Sequence, residues 1–289
     1  MKYSFITQHK NTYPIRLMCQ VIGVSRNGYY NFQSSVNKTP PEDQEMMDWI
    51  RKLDESSKNS YGSRRMKRAL NALGYVISRQ KARRLMKKAG VWVRNRKKYK
   101  VTTNSNHKQP VFDNLVSRQF NVEKKDTVYA GDITYIWTQE GWLYLAVVLD
   151  LYSRKVVGWS MSSRMHSQLV CDALTMAIWN RQPTEGLICH SDRGSQYASK
   201  KYRKLLSKNG FLGSMSRKGD CWDNSVVESF FGSLKQERVH WENYTSRLEA
   251  QQDVLDYIVM FYNSTRLHST LDYRSPNDFE KEIDLKLAA

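Results

Sequence analysis

Acid is what the first part of this 289-residue chain lacks. Between Tyr61 and Lys100 there is no Asp or Glu, against 15 Lys and Arg. Residues 1–125 carry 27 basic and 8 acidic side chains, whereas residues 126–289 carry 19 and 20, so the formal charge of +18 belongs to the first part. Such a density repels itself unless a polyanion is the partner, and nucleic acid is the polyanion expected. A membrane surface is the rival, but it asks for a clean apolar helix face and a second anchoring signal. Long hydrophobic runs are missing too. The longest, Trp142 to Leu149, falls far short of the ~18 residues of a membrane span, and Met1-Lys2-Tyr3-Ser4-Phe5 has no signal-peptide core. The expectation is a soluble, cytoplasmic, nucleoid-associated protein with no membrane partner. Cysteine is scarce and scattered, at Cys19, Cys171, Cys189 and Cys221. With no Cys-x-x-Cys pair, neither a disulfide framework nor a zinc knuckle is indicated. No Gly-x-x-x-x-Gly-Lys loop is present, so the chemistry does not call for nucleotide hydrolysis.

What is present is an organisation in blocks. Ile15, Met18, Cys19 and Ile22 fall at helical spacing, Gly23 breaks the run, and Ser25 can cap a short helix toward Phe32. Residues 1–40 therefore form a helix-turn-helix-like outline, which an ordinary helical hairpin also fits. A second module, 41–93, repeats the pattern. Ser63 opens a helix with Met66, Ala69, Leu70 and Leu73 on one face, Gly74 ends it, and Ser78 caps the next, whose Ala82, Leu85, Met86 and Ala89 face inward. Its outward residues include Arg79, Lys81, Arg83, Arg84, Lys87 and Lys88 and no acid, where a solvated helix would mix signs. They are assigned to DNA. Residues 94–125, including Arg94, Arg96, Lys97 and Lys98, have no apolar period and read as a basic linker that follows a phosphate backbone.

From Val128 the period becomes two. A strand through Ile136 turns at Thr138 to Gly141 into Trp142 to Leu149, and Lys155 to Met161 continues the meander. Then follow helix (Ser167 to Asn180), strand (Gly186 to Ser191), helix (Lys200 to Lys208), strand (Phe211 to Met215) and a helix bearing Glu228. That order predicts an α/β core, residues 126–240, with a mixed five-stranded sheet, followed by a helical extension over 241–289.

Three acids sit in distinctive surroundings: Asp132 in Ala130-Gly131-Asp132-Ile133-Thr134-Tyr135, Asp192 in His190-Ser191-Asp192-Arg193-Gly194, and Glu228 in Asn224-Ser225-Val226-Val227-Glu228. A carboxylate in a half-buried strand costs several kcal/mol or loses its charge, a penalty that a bound cation removes. Asp192 ends an apolar strand, where site residues of open α/β sheets collect. On the Glu228 helix, at about 100° per residue, Asn224 and Lys235 fall on the same stripe as the carboxylate. Two strand-end acids and one helical acid can hold two divalent cations over a phosphodiester. Asp150 is read as a cap at its strand end, Asp220 and Asp223 as helix caps, His190 as a packing residue, and Arg193 as a contact to DNA or solvent.

These signatures, with Ser153-Arg154, Gly158-Trp159 and Tyr262-Asn263-Ser264-Thr265-Arg266-Leu267-His268, resemble the second-reading-frame transposases of the bacterial insertion-sequence-three family. The resemblance implies an RNase H-like core similar to that of retroviral integrases. It implies that Asp132, Asp192 and Glu228 are catalytic and bind two Mg²⁺ ions, for which Mn²⁺ can substitute, and that Lys235 contacts terminal DNA. The implied function is cleavage of transposon 3′ ends and strand transfer by transesterification, through a circular intermediate. The implied partners are double-stranded DNA (terminal inverted repeats and target), further copies of the chain on DNA, and a fusion to the upstream-frame product. Two rivals remain: a DNA-binding repressor with incidental acids, and a retroviral-type integrase, against which the missing zinc module argues.

Overall fold

The computed structural model describes residues 1–36, 40–93, 110–217 and 221–288. The chain divides into two compact units: Met1–Glu55 with Met66–Trp92, and Ser56–Arg65 with Val93–Ala289. No helix among the described residues is long and apolar enough to cross a membrane.

The first unit is helical. Helices α1 (Lys2–His9), α2 (Ile15–Ile22) and α3 (Arg26–Val36) close on Ile6, Met18, Cys19 and Tyr29. Gly23 ends α2 in the left-handed region at φ 66°, and the Ser25 hydroxyl accepts from Gly28 N at 2.9 Å, as the sequence predicts. The next helices are α4 (Pro41–Ser56), α5 (Ser63–Ala72) and α6 (Arg79–Lys88). Met46, Ile50, Met66, Leu70, Ala82 and Leu85 are fully buried, which is what the 3.6-residue spacing of α5 and α6 requires. The Ser78 hydroxyl caps α6, accepting from Lys81 N at 3.1 Å.

The second unit is built on β1 (Val128–Thr138), β2 (Gly141–Asp150), β3 (Val156–Ser162), β4 (Ile188–Ser191) and β5 (Leu212–Met215), in the order β3-β2-β1-β4-β5. The first three strands are antiparallel, while β4 pairs parallel with β1 and β5 parallel with β4. This is the RNase H-like arrangement, a mixed five-stranded sheet. Helix α7 (Ser167–Arg181) packs on β2 and β3, α8 (Lys200–Lys208) on β5, and α9 (Ser225–Glu237) on β1. A core of Tyr129, Ala146, Val148, Val157, Leu169, Leu174, Leu187 and Leu206 joins sheet and helices. Gly158 lets the α7 backbone approach, since a Cβ there would lie 2.8 Å from Ala177 N.

The chain ends in α10 (Arg247–Asp256), a π-helical stretch Tyr257–Tyr262, and α11 (Pro276–Ala288). The Asn263 side chain accepts from Val156 N at 3.0 Å and donates to Val156 O at 2.9 Å, so it extends the sheet where β3 begins. Residues 110–125, the end of the expected linker, do more than space two modules. Phe112 lies against Gly213, Leu115 N donates to Ser214 Oγ at 2.9 Å, and Arg154 donates to Phe120 O at 2.9 Å. The stretch has no apolar period because it packs by single side chains and backbone groups.

Candidate active site

The register of the sheet brings the two aspartates together. Gly131 of β1 pairs in parallel with Ser191 of β4, so Asp132 and Asp192 follow at the same level on neighbouring strands. Both acid groups rest on backbone amides: Asp132 Oδ1 accepts from Ile133 N at 2.7 Å, and Asp192 Oδ1 from Gly194 N at 2.9 Å. Glu228 stands in the first turn of α9, the helix packed on β1.

The three carboxylates share one electrostatic neighbourhood. Loss of solvent, then Asp192, then Glu228 hold the Asp132 carboxyl well above the usual carboxylate range, opposed by the Ile133 amide and the Lys235 ammonium. Glu228 is likewise raised, by burial first and by Asp192 second. Lys235, pushed down by burial and supported by Asp132, holds its Nζ 4.7 Å from the centre of the Tyr135 ring. All three acids offer only carboxylate oxygen, the donor that hard divalent cations take. Among the described residues, no three of His, Cys, Asp and Glu stand close enough to hold an ion as they are oriented.

Several predicted residues are held by the protein itself. Asp223 does not cap α9; its fully buried carboxylate accepts from Asn114 Nδ2 at 2.9 Å, Arg118 Nε at 2.9 Å, and Arg217 N and Nε at 2.9 and 3.1 Å. These donors, Arg217 first, keep its pKa far below the ordinary range. The position looks like a cap in sequence only because its partners lie up to 109 residues away. His190 is buried between Ser214 Oγ and Asp223 O, both at 2.9 Å, and burial lowers its pKa, in keeping with a packing role. Together these contacts fix the approach to α9, a function that sequence reasoning missed. Its one visible trace is Arg118, which lies within the basic stretch 94–125.

Asn224 precedes α9 and is buried, with Nδ2 3.4 Å from Gly131 O and, among the described residues, no hydrogen-bond partner for Oδ1. Arg193 Nε donates to Ser216 O at 2.7 Å, which ties the Asp192 loop to the end of β5. Asp150 does cap its strand end, accepting from Ser153 Oγ at 2.9 Å. On α6, Arg79, Arg83, Arg84, Lys87 and Lys88 are exposed, whereas Lys81 is half-buried against Asp43 of α4 at 3.0 Å. Arg94, Arg96, Lys97, Lys98 and Asp220 lie outside the described residues.

Over 285 residues, 98% of this chain and 99% of the relative, the sequence is 40% identical to the transposase InsF for insertion sequence IS3A of Escherichia coli. The chain belongs to the insertion-sequence-three family of transposases. It is equally identical, over 92% of its length and 98% of the relative's, to the insertion element IS600 uncharacterized 31 kDa protein of Shigella sonnei. Family models match in three places: an HTH-like domain at residues 41–99 and an integrase core domain at 122–221 and again at 228–283. Among solved structures, the catalytic core of HTLV-2 integrase in complex with magnesium aligns at 14% identity and TM-score 0.40, covering 53% of this chain and 95% of that one. The simian T-cell lymphotropic virus intasome aligns at 19% identity and TM-score 0.38, covering 64% and 58%. This transposase is thus an enzyme with an integrase core and a DNA-binding helical module.

Proposed function

We propose that the transposase cuts the 3′ ends of its element and joins them to a second phosphodiester, with Asp132, Asp192 and Glu228 holding two divalent metal ions, Mg²⁺ or Mn²⁺. The observation that carries this reading is the register that sets Asp132, inside β1, beside Asp192, just past the end of the parallel strand β4, with burial and the neighbouring acids raising both Asp132 and Glu228. Carboxylates gathered where burial and like charge disfavour ionisation gain most from a divalent cation. When bound, such ions activate a water and stabilise the leaving 3′ oxygen. The protein's part is orientation. Gly194 and Arg193 hold the Asp192 loop, the Asp223 cluster fixes the start of α9, and Lys235 positions a phosphate near the scissile bond. The exposed cations of α6 follow the duplex, and terminal inverted repeats and target DNA are the substrates. Two ends must be held at once, so the working form is an oligomer on DNA; a fusion with the upstream-frame product belongs to the same reading.

The test is nicking of a terminal-repeat duplex by the full chain in Mg²⁺, beside Asp132→Asn, Asp192→Asn and Glu228→Gln. The wild type should nick and transfer strands, and each variant should bind duplex yet do neither. Binding without nicking by the wild type would leave a repressor instead. Near wild-type nicking by one variant would remove that residue from the trio.

A further inference from the structure

The side of α9 next to Glu228 opens on a cavity of about 300 Å³ within the second unit. Ser229, Gly232, Ser233 and Gln236 of α9 form one wall, and Arg65, Arg266, His268, Ser60 and Ser269 are among the others. The motif from Tyr262 to His268 thus supplies part of a polar chamber, through Arg266 and His268, as well as the Asn263 contacts to the start of β3.

The chamber has an excess of positive charge. Among the described residues that line it, Glu237 is the one acid; it takes Arg266 through two contacts, at 2.7 and 2.8 Å, and stands 3.5 Å from Arg65 Nη1. One carboxylate therefore faces two guanidiniums. Arg266 and Glu237 are both more than nine-tenths buried, so this charge is built in and not a chance of surface lysines. Two further observations agree. His268 is held down to about 3, by burial first and then by Arg266, Arg154 and Arg65, and it adds no charge of its own. Ser60 Oγ is buried with no hydrogen-bond partner among the described residues. A site with surplus guanidinium and spare hydroxyl donors takes a phosphate-like anion.

We propose that this chamber seats a backbone phosphate of the DNA strand being cut, close to the scissile position. The proposal rests on the catalytic reading above for the identity of that strand. The distance is consistent: Gly232 and Ser233 lie about 6–8 Å along the helix from Glu228 and about 40° and 140° around it. At ~3.4 Å of duplex axis per nucleotide, the seated phosphate is about two nucleotides from the cut. Lys235 and this chamber then grip the strand from two sides of one helix.

The experiment replaces phosphates one at a time by uncharged methylphosphonates in a terminal-repeat duplex and measures binding to the full chain. For the wild type, one substitution within about two nucleotides of the cut should weaken binding about tenfold, the size of a charge-assisted hydrogen bond to a phosphate. Gln236→Glu, nearly isosteric, cancels the surplus charge and should weaken binding to the unmodified duplex by a similar factor with an unchanged thermal melt. In that variant the same methylphosphonate should have no further effect. Arg65→Gln, at a half-buried position, should behave alike. Full additivity between Gln236→Glu and every methylphosphonate, or unaltered binding by Gln236→Glu, overturns the proposal. A wild type that shows the methylphosphonate effect but never nicks in Mg²⁺ overturns the catalytic reading and leaves the phosphate seat standing.

Discussion

Asp132→Asn should abolish cleavage and at the same time make the metal-free protein more stable. Asp132 and Asp192 follow residues paired across neighbouring strands, and the strand spacing of about 4.8 Å sets the order of their separation, about 5 Å. At an effective dielectric constant of about 20 the repulsion is about 3 kcal/mol. Taking up a proton relieves part of it, in line with the raised pKa of Asp132. Asparagine keeps the acceptor for Ile133 N and removes the charge, while Lys235 loses an anionic neighbour. A net gain of about 1–2 kcal/mol follows, or about 2–8 °C in the melting of a unit of this size. The assay is a thermal melt of the full chain near neutral pH, in chelator and in Mg²⁺. The wild type should rise on adding metal, by about 2.7 kcal/mol at a hundredfold excess over the dissociation constant, and the variant should rise less. If Asp132→Asn melts at or below the wild type in chelator, or both respond equally to Mg²⁺, the acids do not form one strained cluster.

Lys235→Ala should slow end cleavage at subsaturating DNA while the melt changes little, and Lys235→Arg should retain part of the rate; a wild-type rate for the alanine variant would make this a mere helix face. Glu237→Gln should cost about 3–5 kcal/mol in urea unfolding, because it leaves the buried Arg266 without its charge partner. Gly158→Ala should cost about 1–3 kcal/mol or more by the same measurement, since the added methyl meets α7 backbone at Ala173 O and Ala177 N. His268 titrates at about 3 in the folded chain and near 6.5 unfolded, so the unfolded chain binds the extra proton between those values. Stability should therefore fall as pH drops from about 6.5 toward 3, and His268→Gln should flatten that part of the profile.

The core was readable wherever neighbours in sequence are neighbours in space. Alternation from Val128 to Ile136 locates β1, helical spacing with Ser78 and Gly23 locates α6 and the end of α2, and the polar surroundings of Asp132, Asp192 and Glu228 mark the acids. Helix α4 was not singled out, although its Met46, Met47 and Ile50 are buried. The role of Asp223 was not legible for the opposite reason: a cap is plausible locally, and its salt bridge to Arg118 spans 105 residues.

The sequence by itself determined the family, the strand and helix order of the core and the basic first half, because periodicity, charge and short motifs act over a few residues. Only the tertiary structure decided that β4 lies beside β1 in a register that sets Asp132 next to Asp192. It alone decided that Asp223 belongs to a cluster holding the start of α9, and that Arg65 meets Glu237 and Arg266 in one chamber. The reason is physical. Hydrophobic burial brings distant segments together, and the charges they carry find their partners only once that packing exists.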